Sequence, residues 1–395
     1  MSHASTQAQQ VVIVGGGVIG SAIAYFLAVH PRFGGSITVV ERDPTYTQAS
    51  SALSASSIRQ QFSQPVNIAA SQFGIEFLRN IHQHLAVDGD VPDIGLTERG
   101  YLYLATEAGA ATLQENHATQ RAHGVDVALL TPAEAQQRFA WLQVDDLALA
   151  SLGLTGEGWF DGYGLLMAFK QKARSLGVQY VKAEAAGFVH KSGRVQAVAL
   201  QGGTHLPCDW AVNAAGAWAR PLLAGTGLDL PVYGRRRCVY AFSSPARTPQ
   251  CPLVIDPGGL WFRPEGDIWI CGLPPAQGED GNDAPLDVDY ELFDQAWLTL
   301  AHRVPGFEAV RLQRAWAGYY EYNTHDHNAL LGPHPYLPNL LLANGFSGHG
   351  LQQSPAVGRG LAEWIAEGGY SSLDLSPLAA GRLVEGRALL EKNVI

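Results

Sequence analysis

The chain has 395 residues, 47% of them hydrophobic and 16% charged, with a formal net charge of −10. That length can bury more than one core, so two domains are expected, and the sequence lacks the basic stripe a nucleic-acid partner requires. No apolar run approaches the ~20 residues of a membrane span, and the four cysteines (Cys208, Cys238, Cys251, Cys271) show neither CxxC nor metal spacing, the pattern of structural thiols in a reducing compartment.

The opening MSHASTQAQQ carries no Lys or Arg and no apolar core. It reads as a short disordered tail, neither a signal peptide nor a clear transit peptide, so a cytoplasmic location is the expectation. A strand (Val11 to Val14), a Gly turn, a helix (Val18 to His30) and a strand (Ile37 to Val40) form one β-α-β unit. After a polar stretch, Thr45 to Gln64, a helix is predicted over Val66 to Leu85, strands around Leu96 to Ala105 and a helix over Ala108 to Arg121. Thr131-Pro132-Ala133-Glu134 is a helix start, with Thr as N-cap, Pro at the first helical position and Glu at the third. Leu165 to Gly177 reads as a helix ending in a Gly cap, and short strands run to Asn213. Pro231 to Tyr322 is strand-rich, with one helix near Tyr290 to His302. A last strand, Leu340 to Ala343, passes through a Gly loop into a helix over Leu351 to Glu367. Nucleotide-binding segments thus alternate with sheet-like ones. The predicted fold is α/β: a discontinuous Rossmann-like cofactor domain (1–85, 146–230 and 323–395) with an inserted sheet-rich α+β substrate domain (86–145 and 231–322).

Gly15-Gly16-Gly17-Val18-Ile19-Gly20 matches GxGxxG directly after a strand and opening a helix. Gly15 permits the tight turn, Gly17 lets a pyrophosphate approach the backbone, and Gly20 lets helix and strand pack closely, while Val18 and Ile19 open the helix whose N–H groups face the phosphates. Glu41 follows the second strand at the offset of a ribose-binding acid. This fingerprint does not choose between NAD and FAD. Two further small-residue turns do: Val212-Asn213-Ala214-Ala215-Gly216-Ala217-Trp218, and Phe346-Ser347-Gly348-His349-Gly350 before the last helix, whose positive end suits a reduced flavin.

The three segments, in this order, resemble the D-amino-acid oxidase/sarcosine oxidase/glycine oxidase superfamily of FAD enzymes. Over nearly its whole length the chain is similar to a mitochondrial branch of it, through Ile58-Arg59-Gln60-Gln61-Phe62-Ser63, Glu157-Gly158-Trp159-Phe160-Asp161, Trp316-Ala317-Gly318-Tyr319-Tyr320, Tyr322-Asn323-Thr324, Gly345 to Gln353 and Asn393-Val394-Ile395. The resemblance implies FAD, a substrate sheet over the flavin and, for that branch, partners in respiratory complex I assembly. It implies that Gly15, Gly17 and Gly20 hold the pyrophosphate, Glu41 the ribose, and that Arg42, Ser50 and Ser51 lie beside the phosphates. Ala185 offers backbone to the adenine, and Ala215, Gly216 and Trp218 flank the cofactor. Gly348, His349, Gly350, Leu351 and Gln352 meet the isoalloxazine, with Arg59 near flavin and substrate.

The chain also departs from the family. Sarcosine oxidases attach flavin to a Cys where it has Tyr319, and dimethylglycine dehydrogenases to a His where it has Ser54, so noncovalent FAD is expected. The carboxylate-binding arginine of glycine oxidases maps to Tyr320, and the sarcosine oxidase lysine to Gln352. Arg59, Tyr319, Tyr320, His349, Gln352 and Arg263 remain the candidate catalytic residues; Arg59 is either a carboxylate clamp or a structural ion pair. His325 and His327 lack further ligands for a metal. Arg235, Arg236 and Arg237 read as a solvated or ligand-facing turn. The implied reaction is hydride transfer from the carbon next to nitrogen, in an amino acid or secondary amine, to flavin N5. A scaffold for complex I assembly with little turnover is the rival reading. All lysines but Lys392 fall between Lys170 and Lys191, which favours a dehydrogenase using a quinone or protein acceptor over an oxidase.

Overall fold

The Gln10–Val14 strand lies at the centre of a six-stranded sheet. Its parallel neighbours are Ser36–Glu41 and Trp210–Asn213, extended in parallel by Gln179–Lys182 on one side and Leu337–Asn344 on the other. Leu330–His334 closes the edge as an antiparallel hairpin. The chain is described as a computed structural model covering residues 9–276 and 280–393. Most of the predicted N-terminal tail (residues 1–8) and the Val394-Ile395 end lie outside the described residues.

Alternation along the central strand sorts its side chains onto two faces. Val11 and Ile13 pack with the helices Val18–Ala28, Gly162–Ser175 and Gly350–Glu367. Val12 and Val14 pack instead under a three-stranded sheet of Ala185–Lys191, Arg194–Leu200 and His205–Pro207. Helices on one face and a small sheet on the other leave the carboxyl ends of the parallel strands open, where ligands of such sheets bind.

A second, eight-stranded sheet runs in the order Arg311–Asn323, Val232–Ser243, Ile268–Gly272, Trp261–Glu265, Leu253–Ile255, Tyr101–Ala105, Leu149–Gly153, Val127–Leu130. All its pairs are antiparallel except Leu253–Ile255 with Tyr101–Ala105. Helices Tyr290–Arg303 and Pro132–Arg138 cover one face. Pro132–Arg138 begins with the predicted capping box on Thr131 and Glu134. Leu149–Gly153 hydrogen-bonds into this sheet, whereas the predicted boundary at 146 gave it to the cofactor domain. The helix predicted over Val66 to Leu85 breaks at Asn80 into Pro65–Arg79 and Ile81–Leu85. Arg235 to Arg237 lie within a strand, not a turn. Among the described residues, no helix is long and apolar enough to cross a membrane.

Candidate functional site

The glycine turn forms because only its residue types fit. Gly15 sits at φ +100°, and a β-carbon there would collide with the carbonyl of Ala214. One on Gly20 would collide with the carbonyl of Gly15, so Gly20 packs helix against turn and does not itself line a cavity. Gly17 caps the Val18–Ala28 helix without a side chain of its own, so apart from the Val18 N–H the first turn takes no side-chain bond among the described residues. The Ser51 hydroxyl accepts from the Val18 N–H at 3.1 Å. Glu41 accepts from Gly16 N–H and Asp43 N–H, both at 2.8 Å. It therefore braces the turn as well as facing the cavity.

That cavity, of about 340 Å³, is walled by Gly15, Gly17, Val18, Ile19, Glu41, Arg42, Ser50, Ser51, Ala185, Ala215, Gly216 and Trp218. Arg42 lies flat over the Trp218 ring at 3.7 Å, a stacking its planar guanidinium favours. The cavity continues past Val18, Ile19, Ser50, Ser51 and Glu321 into a second of about 90 Å³, lined by Tyr319, Tyr320, Gly348, Gly350, Leu351, Trp261 and Arg237. A third, of about 40 Å³, opens beyond Tyr320 and Gly348 onto Arg59, Tyr101, Ser347, His349 and Gln352. A single trough thus runs from the glycine turn to Arg59. Gly348 keeps it open, since a β-carbon there would strike the Tyr320 ring. The Gly350–Glu367 helix, its N-terminus uncapped by any side chain, points its positive end at the middle of the trough.

Arg59 is 4% exposed. Its backbone N–H donates to Gln352 Oε1 at 2.8 Å, and its Nη2 donates to His349 Nε2 at 3.1 Å and to the Asn393 carbonyl. Its Nε has no partner among the described residues. The acids electrostatically coupled to it are otherwise engaged. Glu391 binds Ser63, Gln64 and Asn67, and Glu157 binds the N–H groups of Gln60 and Gln61 at 2.7 and 3.1 Å. Burial raises Glu157 to about 7. Burial, helped by the Arg59 charge, holds His349 well below its ordinary value. It is therefore neutral, and Arg59, a donor only, assigns its proton to Nδ1. Gln352 orients Arg59 through the backbone.

The other candidates separate. The Tyr319 hydroxyl donates to the Ala284 carbonyl at 2.6 Å, and Tyr320 lies under Arg237, 5.3 Å from the guanidinium. Arg263 does not reach the trough. It pairs with Glu265, stacks over Trp159 at 5.1 Å and donates to the Ala55 carbonyl at 2.7 Å, beneath the cavity wall. Asp326, between the two loop histidines, is fully buried against Arg382 at 2.7 Å. The described residues contain no group of three or more His, Cys, Asp or Glu that could hold a metal. Sequence reasoning missed Glu321, Tyr101 and Trp261 as trough residues, and had Arg237 only within a solvated or ligand-facing turn. Alternation in the strand Arg311–Asn323 would have placed Glu321 on the face of Tyr319, the one local signal available.

Comparison with known proteins follows the same lines. The profile described as FAD dependent oxidoreductase (DAO) matches residues 10–364. FAD-dependent oxidoreductase domain-containing protein 1 of Xenopus laevis is 43% identical over 421 residues, covering 98% of this chain and 84% of that protein. Glycine oxidase of Geobacillus kaustophilus is 26% identical over 95% of this chain and 98% of its own. Among solved structures, L-proline dehydrogenase from P. horikoshii superposes with a TM-score of 0.85 at 26% identity, covering 97% of this chain and 100% of that one.

Proposed function

The chain belongs to the DAO family of FAD dependent oxidoreductases, and from that premise we propose that it oxidises the C–N bond of an amino acid or secondary amine bearing a carboxylate. The trough fits FAD on its own geometry: a glycine cradle without β-carbons, a helix end that Ser51 meets only at Val18, and a bare-backbone turn at Ala215 and Gly216. Gly15, Gly17, Glu41, Arg42 and Ser51 would hold the adenosine diphosphate half, and Gly348, Gly350 and Leu351 the other. FAD, when bound, supplies the hydride acceptor.

Arg59 carries the reading. A guanidinium buried without a carboxylate partner costs several kcal/mol unless a ligand supplies one. Arg59 lines the far end of the trough and its Nε has no partner among the described residues, so a substrate carboxylate in the trough would complete the guanidinium. Its planar fork suits two-point binding and fixes the reacting carbon in place. Neutral His349 and the Tyr101 and Tyr320 rings close the pocket around it and keep water out. Burial pushes the Tyr101 hydroxyl up to about 12, so it stays neutral. The names of the relatives, among them glycine oxidase and sarcosine dehydrogenase, support an amino-carboxylate.

Anaerobic mixing with a panel of amino acids and N-methyl amines tests the proposal. Bleaching of the flavin band by at least one carboxylate-bearing amine is expected. No bleaching across the panel would favour the FAD-binding assembly-factor reading. We further favour a dehydrogenase. Lys170, the buried member of the lysine cluster, sits over Tyr46 on the adenosine side of the trough, not the flavin side. Reoxidation by aerated buffer as fast as turnover would instead make the protein an oxidase.

A further inference from the structure

We propose that Glu321 binds the cofactor in its neutral form, donating a hydrogen bond to FAD where the two halves of the trough meet, so that FAD binding is linked to one proton. The inference rests on FAD binding alone and is independent of the substrate.

Glu321 borders both the adenosine-side and the flavin-side cavities, together with Ser50, Ser51 and the first residues of the Val18–Ala28 helix. This is where a helix N-terminus would receive a pyrophosphate. Its backbone carbonyl accepts from Ser347 N–H at 3.0 Å, so the strand and the Gly345–Gly348 turn are held in one register. Among the described residues its carboxyl accepts one bond, from Gly345 N–H, and that is long at 3.3 Å. Three other acids differ. Glu41 and Glu157 each take two or more N–H donors, and Asp326 has Arg382.

No cation lies within ion-pair distance of Glu321 among the described residues. On its own face, Tyr319 is turned to Ala284, and Arg236 to Asp289 at 3.7 Å. Opposite it, Gly234 donates its N–H to Asp283 at 2.7 Å. The short helix Gly216–Trp218 presents only the backbone of Gly216, and Arg42 is stacked on Trp218. Glu321 is half-buried in the trough lining, and desolvation there raises it to about 8. Two phosphates nearby would raise it further. An ionised carboxylate here would repel them, whereas a neutral one offers an O–H to a phosphate or ribityl oxygen.

The sign follows directly. The protonated form binds, so affinity is level below the FAD-free pKa and falls as pH rises through it. The full-length protein, stripped of flavin and checked for native near-UV circular dichroism at each pH, is titrated with FAD between pH 6 and 9. The dissociation constant should be flat to about pH 7.5 and rise about ten-fold by pH 9. Glu321→Gln, which keeps a donor but does not titrate, should bind FAD with no such dependence. Titrating FAD into weakly buffered wild-type protein at pH 8.5, with an indicator dye, should take up about three-quarters of a proton per FAD. A flat wild-type profile, an unchanged profile in Glu321→Gln, or no proton uptake would each overturn the proposal. None of these measurements involves substrate, so they fail or succeed separately from the amine-oxidation reading.

Discussion

Replacing Arg59 with Met should abolish carboxylate binding while leaving the fold nearly as stable as before. The structure allows both effects to be estimated. Removing the side chain takes away its bonds to His349 and Asn393, each worth about 1.5–3 kcal/mol for a charged donor. It also removes a buried charge whose isolation costs several kcal/mol. The two effects nearly cancel, leaving about 2 kcal/mol of either sign. For 395 residues at ~2.1 cal/mol/K each, that is a change in Tm of about 2–3 °C. The backbone N–H of Arg59 still reaches Gln352, so the loop keeps its place. A bound carboxylate, by contrast, loses two charge-assisted bonds, about 3–6 kcal/mol, or roughly 10²–10⁴ in affinity. Binding of propionate and benzoate is read from perturbation of the flavin absorption band, and Tm from differential scanning. Arg59→Lys should fall between, because an ammonium cannot form the fork. Affinity within three-fold of wild type in Arg59→Met would end the clamp assignment. A Tm far below the stated range, with affinity unchanged, would make Arg59 structural.

Acid precipitation should release all of the flavin into the supernatant, because Tyr319 and Ser54 stand at the family's attachment positions; fluorescence left on the polypeptide refutes this. Glu41→Ala should weaken FAD binding at least ten-fold, from roughly 1.5–3 kcal/mol per charged hydrogen bond lost, since Glu41 braces Gly16 as well as facing the cavity. Unchanged flavin occupancy in the purified variant would release Glu41 from both roles. Arg382→Met should lower Tm by about 4–6 °C, because it leaves Asp326 charged and fully buried at a cost of about 3–5 kcal/mol. Arg382→Met with Asp326→Asn should recover part of that loss, and a double variant no better than the single one would argue against stranded charge as the cause.

What the sequence determined is what lies close together along the chain. The strand, the glycine turn, the helix and the acid after the second strand are contiguous, and each obeys local sterics or hydrogen bonding, so the glycine turn and its α/β setting were legible from residues 10 to 41. The same holds for the capping box at Thr131 and for the Gly348 turn before the last helix. Tertiary structure alone decided which side chains meet at the far end of the trough. Arg59 meets His349 and Asn393 from 290 and 334 positions away, and no periodicity encodes such a contact. Alternation put Arg263 on the face of Trp261, which lines the trough, but could not say how its side chain would lie, and that side chain turned beneath the wall to Ala55. Asn80 ended a helix that apolar spacing would have carried on to Leu85. Beyond alternation, nothing local marks Glu321 within its run of aromatic residues; folding places it between two cavities and, among the described residues, gives its carboxyl one weak donor. Burial, and the neighbours that burial brings, set the charge states at this site; both are properties of the packed chain.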